Sequence, residues 1–241
     1  MTVWFATGNI NKKKELSEIL RSASGGKNEA ESNTLSAFDL KTPSDAGLTF
    51  DPDETGSTFL ENALIKAEAL YRLLWEKGVI RHGDPVIADD SGICVDALDG
   101  RPGIYSARYC GPEITPDSIM KNSVKLHDAE RNTLLLQELG DNPLRSARFV
   151  CAMVLYYGPN RFFIAQESLE GELVKNADSI RGSGGFGYDP ILYIPELGRT
   201  VAELGEKEKN RRSHRGKAGR AIANILFSNN MFVDNPSGKT G

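Results

Sequence analysis

Along this chain, short unbroken apolar runs alternate with helix-spaced apolar stripes, the order expected of an α/β protein. Val3 to Ala6 is a bounded apolar run that predicts a buried strand, and Lys12 to Leu20 follows with Leu16, Ile19 and Leu20 on one helical face. Thr58 and Glu61 fit a capping box, after which Leu60, Ala63, Leu64, Ala67, Leu70, Tyr71 and Leu74 keep helical spacing until Gly78. Pro85 to Ala88 reads as another short strand that ends in Asp89-Asp90-Ser91-Gly92, with Ile93 and Val95 alternating beyond it. The two carboxylates are therefore expected at a strand end.

Pro116 to Leu139 predicts a helix capped by Thr115 and broken around Asp128 to Asn132. Phe149 to Tyr157 is apolar on both alternating faces, as in a central strand covered on both sides, and Arg161 to Glu170 is expected to return beside it in a mixed sheet. Ser213 is placed to cap a last helix with Ala218, Ala221, Ile222, Ile225 and Leu226 on its inner stripe. Ser22 to Asn33 reads as an exposed polar loop, and the polar stretch from Ser228 as a frayed tail.

Composition narrows the class. With 241 residues, 39% of them hydrophobic and 26% charged, the chain can bury one core, or one core and a small lobe. A net charge of -4 has the wrong sign for a nucleic-acid polymer as partner, yet leaves room for a basic cleft that takes a small polyanion. Cys94, Cys110 and Cys151 form neither a disulfide framework nor a zinc motif. No secretory leader or membrane span is evident, so a cytoplasmic location is expected.

Four strings carry candidate chemistry. Thr7-Gly8-Asn9-Ile10-Asn11-Lys12 is a polar turn between strand and helix, where backbone N–H groups and the helix dipole favour a phosphate; a capped turn with solvated lysines is the alternative. No G-x-x-x-x-G-K-[ST] string exists, which excludes a P-loop. Asp89 and Asp90 supply adjacent hard oxygens that suit Mg²⁺, with Gly92 allowing close approach of a ligand, against the alternative of an acidic surface turn. Asp53, Glu54 and Lys66 add charge nearby in sequence. Gly182 to Pro190 contains G-x-G-x-x-G but leads into a strand, so it is not a dinucleotide fingerprint. It reads either as a loop displaying Phe186, Tyr188 and Asp189 to a base or as a hinge with part-buried aromatics. Lys209, His214 and Arg215 gather at a helix entry.

Taken in order, Phe5-Ala-Thr-Gly-Asn9, Glu54-Thr-Gly56, Thr58-Phe-Leu-Glu-Asn-Ala63, Asp89-Asp-Ser-Gly92, Val95-Asp-Ala-Leu98, Pro102 to Arg108, Gly184 to Pro190 and Ser213-His-Arg-Gly216 resemble the inosine triphosphate pyrophosphatase, or Ham1-like, family over nearly the whole chain. The resemblance implies an elongated mixed β-sheet flanked by helices, in two lobes with a central cleft. One such domain would span residues 1–228, with a flexible tail over 229–241. It further implies a homodimer acting on ITP, dITP and XTP with Mg²⁺ and releasing the monophosphate and pyrophosphate.

In that family's pattern Thr7, Gly8, Asn9, Ile10, Asn11, Lys12 and Lys66 hold the triphosphate. Asp90 is the proposed base and a metal-linked carboxylate, with Asp89 beside it and Ser91 on the substrate. Glu54 or Asp53 is the other metal ligand. Phe186, Gly187, Tyr188, Asp189, Lys209, His214 and Arg215 form the base and sugar end. Ser22 to Asn33, the stretch from Gly111 to Arg145 and the tail after Phe227 look longer than in compact members.

Overall fold

A computed structural model describes residues 1–24, 38–112 and 126–228. Strand β1 (Thr2–Phe5) leads into helix α1 (Ile10–Ser24), then come β2 (Asp39–Lys41), α2 (Phe59–Glu76), β3 (Val86–Val95), α3 (Asp128–Leu139), β4 (Ser146–Tyr156), β5 (Phe162–Leu173), β6 (Leu192–Ile194), β7 (Arg199–Thr200), α4 (Glu206–Arg212) and α5 (His214–Ser228). The seven strands form one open mixed sheet in the order β2-β1-β3-β4-β5-β6-β7. β1 runs parallel to β2 and β3, and every pairing from β3 onward is antiparallel.

Three apolar clusters cover this sheet. One face of β1, β3 and β4 packs on α1 and α5 through Leu16, Leu20, Ile87, Met153, Ala218 and Ile222. The opposite face packs on α2 through Ala63, Ala67, Leu70, Leu74, Ala88 and Val154. The third cluster joins the far halves of β3 and β4 to α3, β6 and Tyr188. β3, β4 and β5, of ten to twelve residues, thus run from the first clusters into the third.

The caps behave as their residue types require. Thr58 accepts the Glu61 N–H at 3.1 Å while the Glu61 carboxylate receives the Ser57 and Thr58 N–H groups, so α2 starts where the capping box places it. Ser213 accepts the Gly216 N–H at 3.0 Å and starts α5. Helix α1 begins earlier than its apolar stripe indicates because Asn9 caps it, its Oδ1 accepting from the Asn11 and Lys12 N–H groups, and it runs on to Ser24.

Two expectations need correction. Asp89 and Asp90 do not end a strand, because β3 continues for ten residues from Val86 to Val95 and both lie in its middle. The polar residues look like punctuation in the sequence, yet each finds a charged partner that lets the ladder with β4 continue. The helix expected from Pro116 is non-helical at Leu126 and His127, and Asp128 to Asn132, expected to break it, instead open the continuous helix α3. The part of that prediction from Thr115 to Lys125, the loop from Gly25 to Asn33 and the tail at 229–241 lie outside the described residues.

Candidate active site

β1 pairs with β3 only at Trp4–Val86 and Phe5–Ile87, and Ala6 adds one bond to the Ile87 carbonyl. Farther along, Ser106 in the turn Gly103–Arg108 accepts the Ile93 N–H. Between these contacts the β3 edge from Asp89 to Ser91 faces a cleft of ≈ 480 Å³, beyond the carboxyl end of a parallel strand where open α/β sheets place ligands. Gly92 serves this architecture: a Cβ there would lie 2.4 Å from the Gly103 carbonyl and the Ser106 hydroxyl. At this position a close approach is made by the protein's own turn.

Strand alternation sends the two carboxylates to opposite faces of the sheet. Asp89 turns toward α1 and α5. Lys12 Nζ lies 3.0 and 2.9 Å from its two oxygens, and Arg215 Nε lies 3.2 Å from Oδ2. The Arg215 guanidinium also donates to Ser91 Oγ at 2.7 Å and to Glu15 at 2.6 Å. Glu15 in turn holds Lys209 at 2.7 Å, and Lys209 reaches Asp189 at 2.7 Å. Burial alone would raise the Asp89 carboxyl, but Lys12, Arg215 and Lys66 outweigh it and hold the group well below the usual carboxylate range.

Asp90 turns toward α2. Lys66 Nζ lies 2.9 Å from its Oδ1 and 3.4 Å from Glu54, while Asn62 reaches Oδ2 at 3.4 Å and Arg108 lies 3.6 Å from Glu54. Here burial wins and raises the Asp90 carboxyl, with Lys66 and Lys12 opposing and Glu54 assisting. Lys66 is raised in spite of its burial, because Asp90, Asp89 and Glu54 surround it. All contacts except Lys66–Asp90 are long, so Asp90 Oδ2 and the part-exposed Glu54 carboxylate retain acceptor capacity toward the cleft.

The phosphate-favouring turn lines the same cleft through Thr7, Gly8, Asn9, Asn11 and Lys12. The first turn of α1 carries no acid, so its positive dipole end and Lys12 act together toward an anion. Ile10 is 73% exposed and is not among the lining residues. Glu54 lines the cleft, whereas Asp53 is exposed and does not. Among the described residues no group of three or more His, Cys, Asp or Glu side chains could cage a metal. Glu54 and Asp90, two hard-oxygen donors on one cavity, suit an ion that completes its shell from water and ligand oxygens.

At the other end, Phe186 sits beneath Lys209 and Arg215, whose cationic groups lie 4.9 and 5.5 Å from its ring centre. Tyr188 and Asp189 act as internal braces. The Tyr188 hydroxyl donates to the Ser106 carbonyl at 2.8 Å, and Asp189 accepts both Lys209 and the Phe186 N–H. Gly185 permits this, since a Cβ there would collide with the Asp189 carboxylate. His214 stacks on Phe149 with ring centres 4.8 Å apart, and its buried Nδ1 has no hydrogen-bond partner among the described residues. Burial, Arg215 and Lys209 keep the imidazole neutral.

Sequence reasoning missed Glu15, Asn62, Arg108, Asp128 and Phe149. For two of them a signal existed: Glu15 lies one turn from Lys12 beside Leu16, and Asn62 one turn from Lys66 beside Ala63, so both pairs sit at the rim of a core-facing stripe.

The chain is similar to known proteins over most of its length. The Ham1 family model matches residues 3–225. A dITP/XTP pyrophosphatase of Treponema denticola is 43% identical over 97% of this chain and 98% of its own, and one of Thermus thermophilus is 41% identical over 92% and 90%. Among solved structures, the Staphylococcus aureus Ham1 protein superposes with a TM-score of 0.71 at 32% identity, covering 95% of this chain and 99% of that one. A HAM1 protein from Coxiella burnetii gives 0.70 at 34% identity, with the same coverage.

Proposed function

Because this chain belongs to the Ham1 family, we propose that it hydrolyses the purine nucleoside triphosphates ITP, dITP and XTP to the monophosphate and pyrophosphate, and so clears non-standard bases from the nucleotide pool. The observation that supports catalysis most directly is the convergence of Glu54 and Asp90 on Lys66 in the cleft that also receives the Lys12 turn. A module that only binds nucleotides has little use for two carboxylates with acceptor capacity at its phosphate end.

In this reading the Thr7 to Lys12 turn and Lys66 position the triphosphate. Asp90 accepts a hydrogen bond from a water and orients it toward the α-phosphorus, and Lys66 fixes the Asp90 carboxylate for that task. A carboxylate is a weak base at neutral pH, so orientation contributes more than proton abstraction. Asp89, engaged by Lys12 and Arg215 on the other face, holds those cations in place rather than touching the water. Mg²⁺ would be held by Glu54 and Asp90 and would supply charge neutralisation on the phosphates.

Arg215 or a backbone N–H donates to the 6-keto oxygen of the base. Adenine presents a donor at that position and leaves the site's own donor unpaired, which costs about 1–3 kcal/mol. A homodimer and a cytoplasmic location belong to the same proposal; among the described residues no helix is long and apolar enough to cross a membrane.

The deciding assay incubates the protein with ITP, dATP or GTP and separates pyrophosphate from orthophosphate. Pyrophosphate is expected from ITP, lost with EDTA and restored by Mg²⁺. Orthophosphate as the first product would move the cut to another bond, and activity indifferent to EDTA would remove the metal from the proposal. Light scattering on a sizing column tests the dimer.

A further inference from the structure

The loop that carries Phe186 is braced by Tyr188 and Asp189, yet the glycine between Phe186 and Tyr188 has no side chain of its own to hold it. Gly185 and Gly187 have φ of +73° and +64°, and at Gly187 a Cβ would meet nothing within 4 Å. Such glycines are costly to order and offer no side chain to pack. The Gly187 main chain is left to a partner outside the loop if a ring at position 186 is to meet a ligand reproducibly.

The first turn of α3 provides that hold. Asp128 Oδ2 accepts the Gly187 N–H at 2.6 Å, and Asn132 Nδ2 donates to the Gly187 carbonyl at 3.1 Å. Both main-chain groups of one glycine are thus taken by one helix. The Asp128 carboxylate is itself oriented, because its other oxygen receives the Arg131 guanidinium, which also donates to the Leu126 carbonyl at 2.5 Å. Asn132 is 3% exposed, so its amide has little freedom to turn away. Asp128 and Arg131 line the cleft together with Phe186 and Gly187.

We infer that Asp128 and Asn132 clamp Gly187 from α3 and are positioning residues for the base end of the site, so that α3 shares in setting nucleotide selectivity. The inference rests on the nucleotide reading only for what the clamp serves; the clamp itself is a property of the free protein. Neither residue needs to touch substrate. Their effect passes through the placement of Phe186 and, next to it, Tyr188.

The test uses Asp128→Ala, whose side chain is partly exposed, and Glu130→Ala as control. Glu130 is also an acid of the first turn of α3, where it receives the His127 N–H, and among the described residues it has no hydrogen bond to the loop. Amide exchange of Gly187, read by NMR without nucleotide, is expected to accelerate in Asp128→Ala and to stay unchanged in Glu130→Ala. KM for ITP is expected to rise about tenfold with kcat within about threefold, and the preference for ITP over GTP to fall. Asp128→Asn, which keeps an acceptor, should restore most of the loss.

Unchanged Gly187 exchange in Asp128→Ala, or kinetics that match those of Glu130→Ala, would overturn the clamp. A wild-type protein that cleaves no ITP would instead overturn the proposed function, while the exchange measurement would still decide the clamp.

Discussion

The two faces of β3 carry consecutive aspartates in opposite electrostatic surroundings. On the Asp89 face, three acids (Asp89, Glu15 and Asp189) interlock with three cations (Lys12, Arg215 and Lys209) in contacts of 2.6 to 3.2 Å. On the Asp90 face one contact is short, and the rest stretch to 3.4 and 3.6 Å. The first arrangement is closed and sets geometry, whereas the second keeps oxygen lone pairs available for a ligand. Catalytic capacity thus belongs to the looser face, and the tighter one holds the cleft walls together. Burial of Cys151 beside Asp89, which pushes its thiol up to about 12, fits a face built for packing.

Replacing each aspartate separately is the strongest way to break this contrast. Asp90→Asn is expected to lower kcat by about 10²- to 10⁴-fold while calorimetry still detects nucleotide binding. Asp89→Asn should act on stability and KM first. Near-normal turnover in Asp90→Asn together with a collapse of kcat in Asp89→Asn would exchange their roles.

Stability offers the next comparison. Arg215→Met removes the group that joins Asp89, Glu15 and Ser91, and is expected to cost about 3–5 kcal/mol in urea unfolding. Lys66→Met should cost less, because Glu54 is part-exposed and the other contacts on this face are long. Equal losses would mean that the two faces are equally rigid.

The smallest effect concerns His214, which sits with the tight network and stays neutral. Its folded pKa lies well below the unfolded value of 6.5, so the folded state binds the proton less readily. The stability linked to His214 is complete above pH 6.5 and falls as pH drops below it, with a limiting slope of about 1.4 kcal/mol per pH unit. Unfolding measured between pH 7 and 5 should give a steeper decline for the wild type than for His214→Gln. Parallel curves would place the imidazole in solvent.

The Gly182 to Pro190 string shows how far local chemistry carries and where it stops. Its composition excludes a dinucleotide fingerprint and points to a loop bearing Phe186, as observed. It does not reveal that Tyr188 and Asp189 face inward, because their partners Ser106 and Lys209 come from distant segments. Nor does it reveal Asp128, whose local context is that of a charged helix start.

Periodicity and caps determined the α/β class, helix α2 with its start at Thr58, the central strand β4 and the candidate strings, since each depends on interactions within a few residues or on burial that repeats at a fixed period. The tertiary structure alone decided that β3 runs through its acidic residues, that Asp89 and Asp90 part to opposite faces, and that Glu15 joins the base end to the phosphate end. Those outcomes depend on whether a buried charge meets its counter-charge. That partner arrives from another segment, and only the folded chain sets the distance between them.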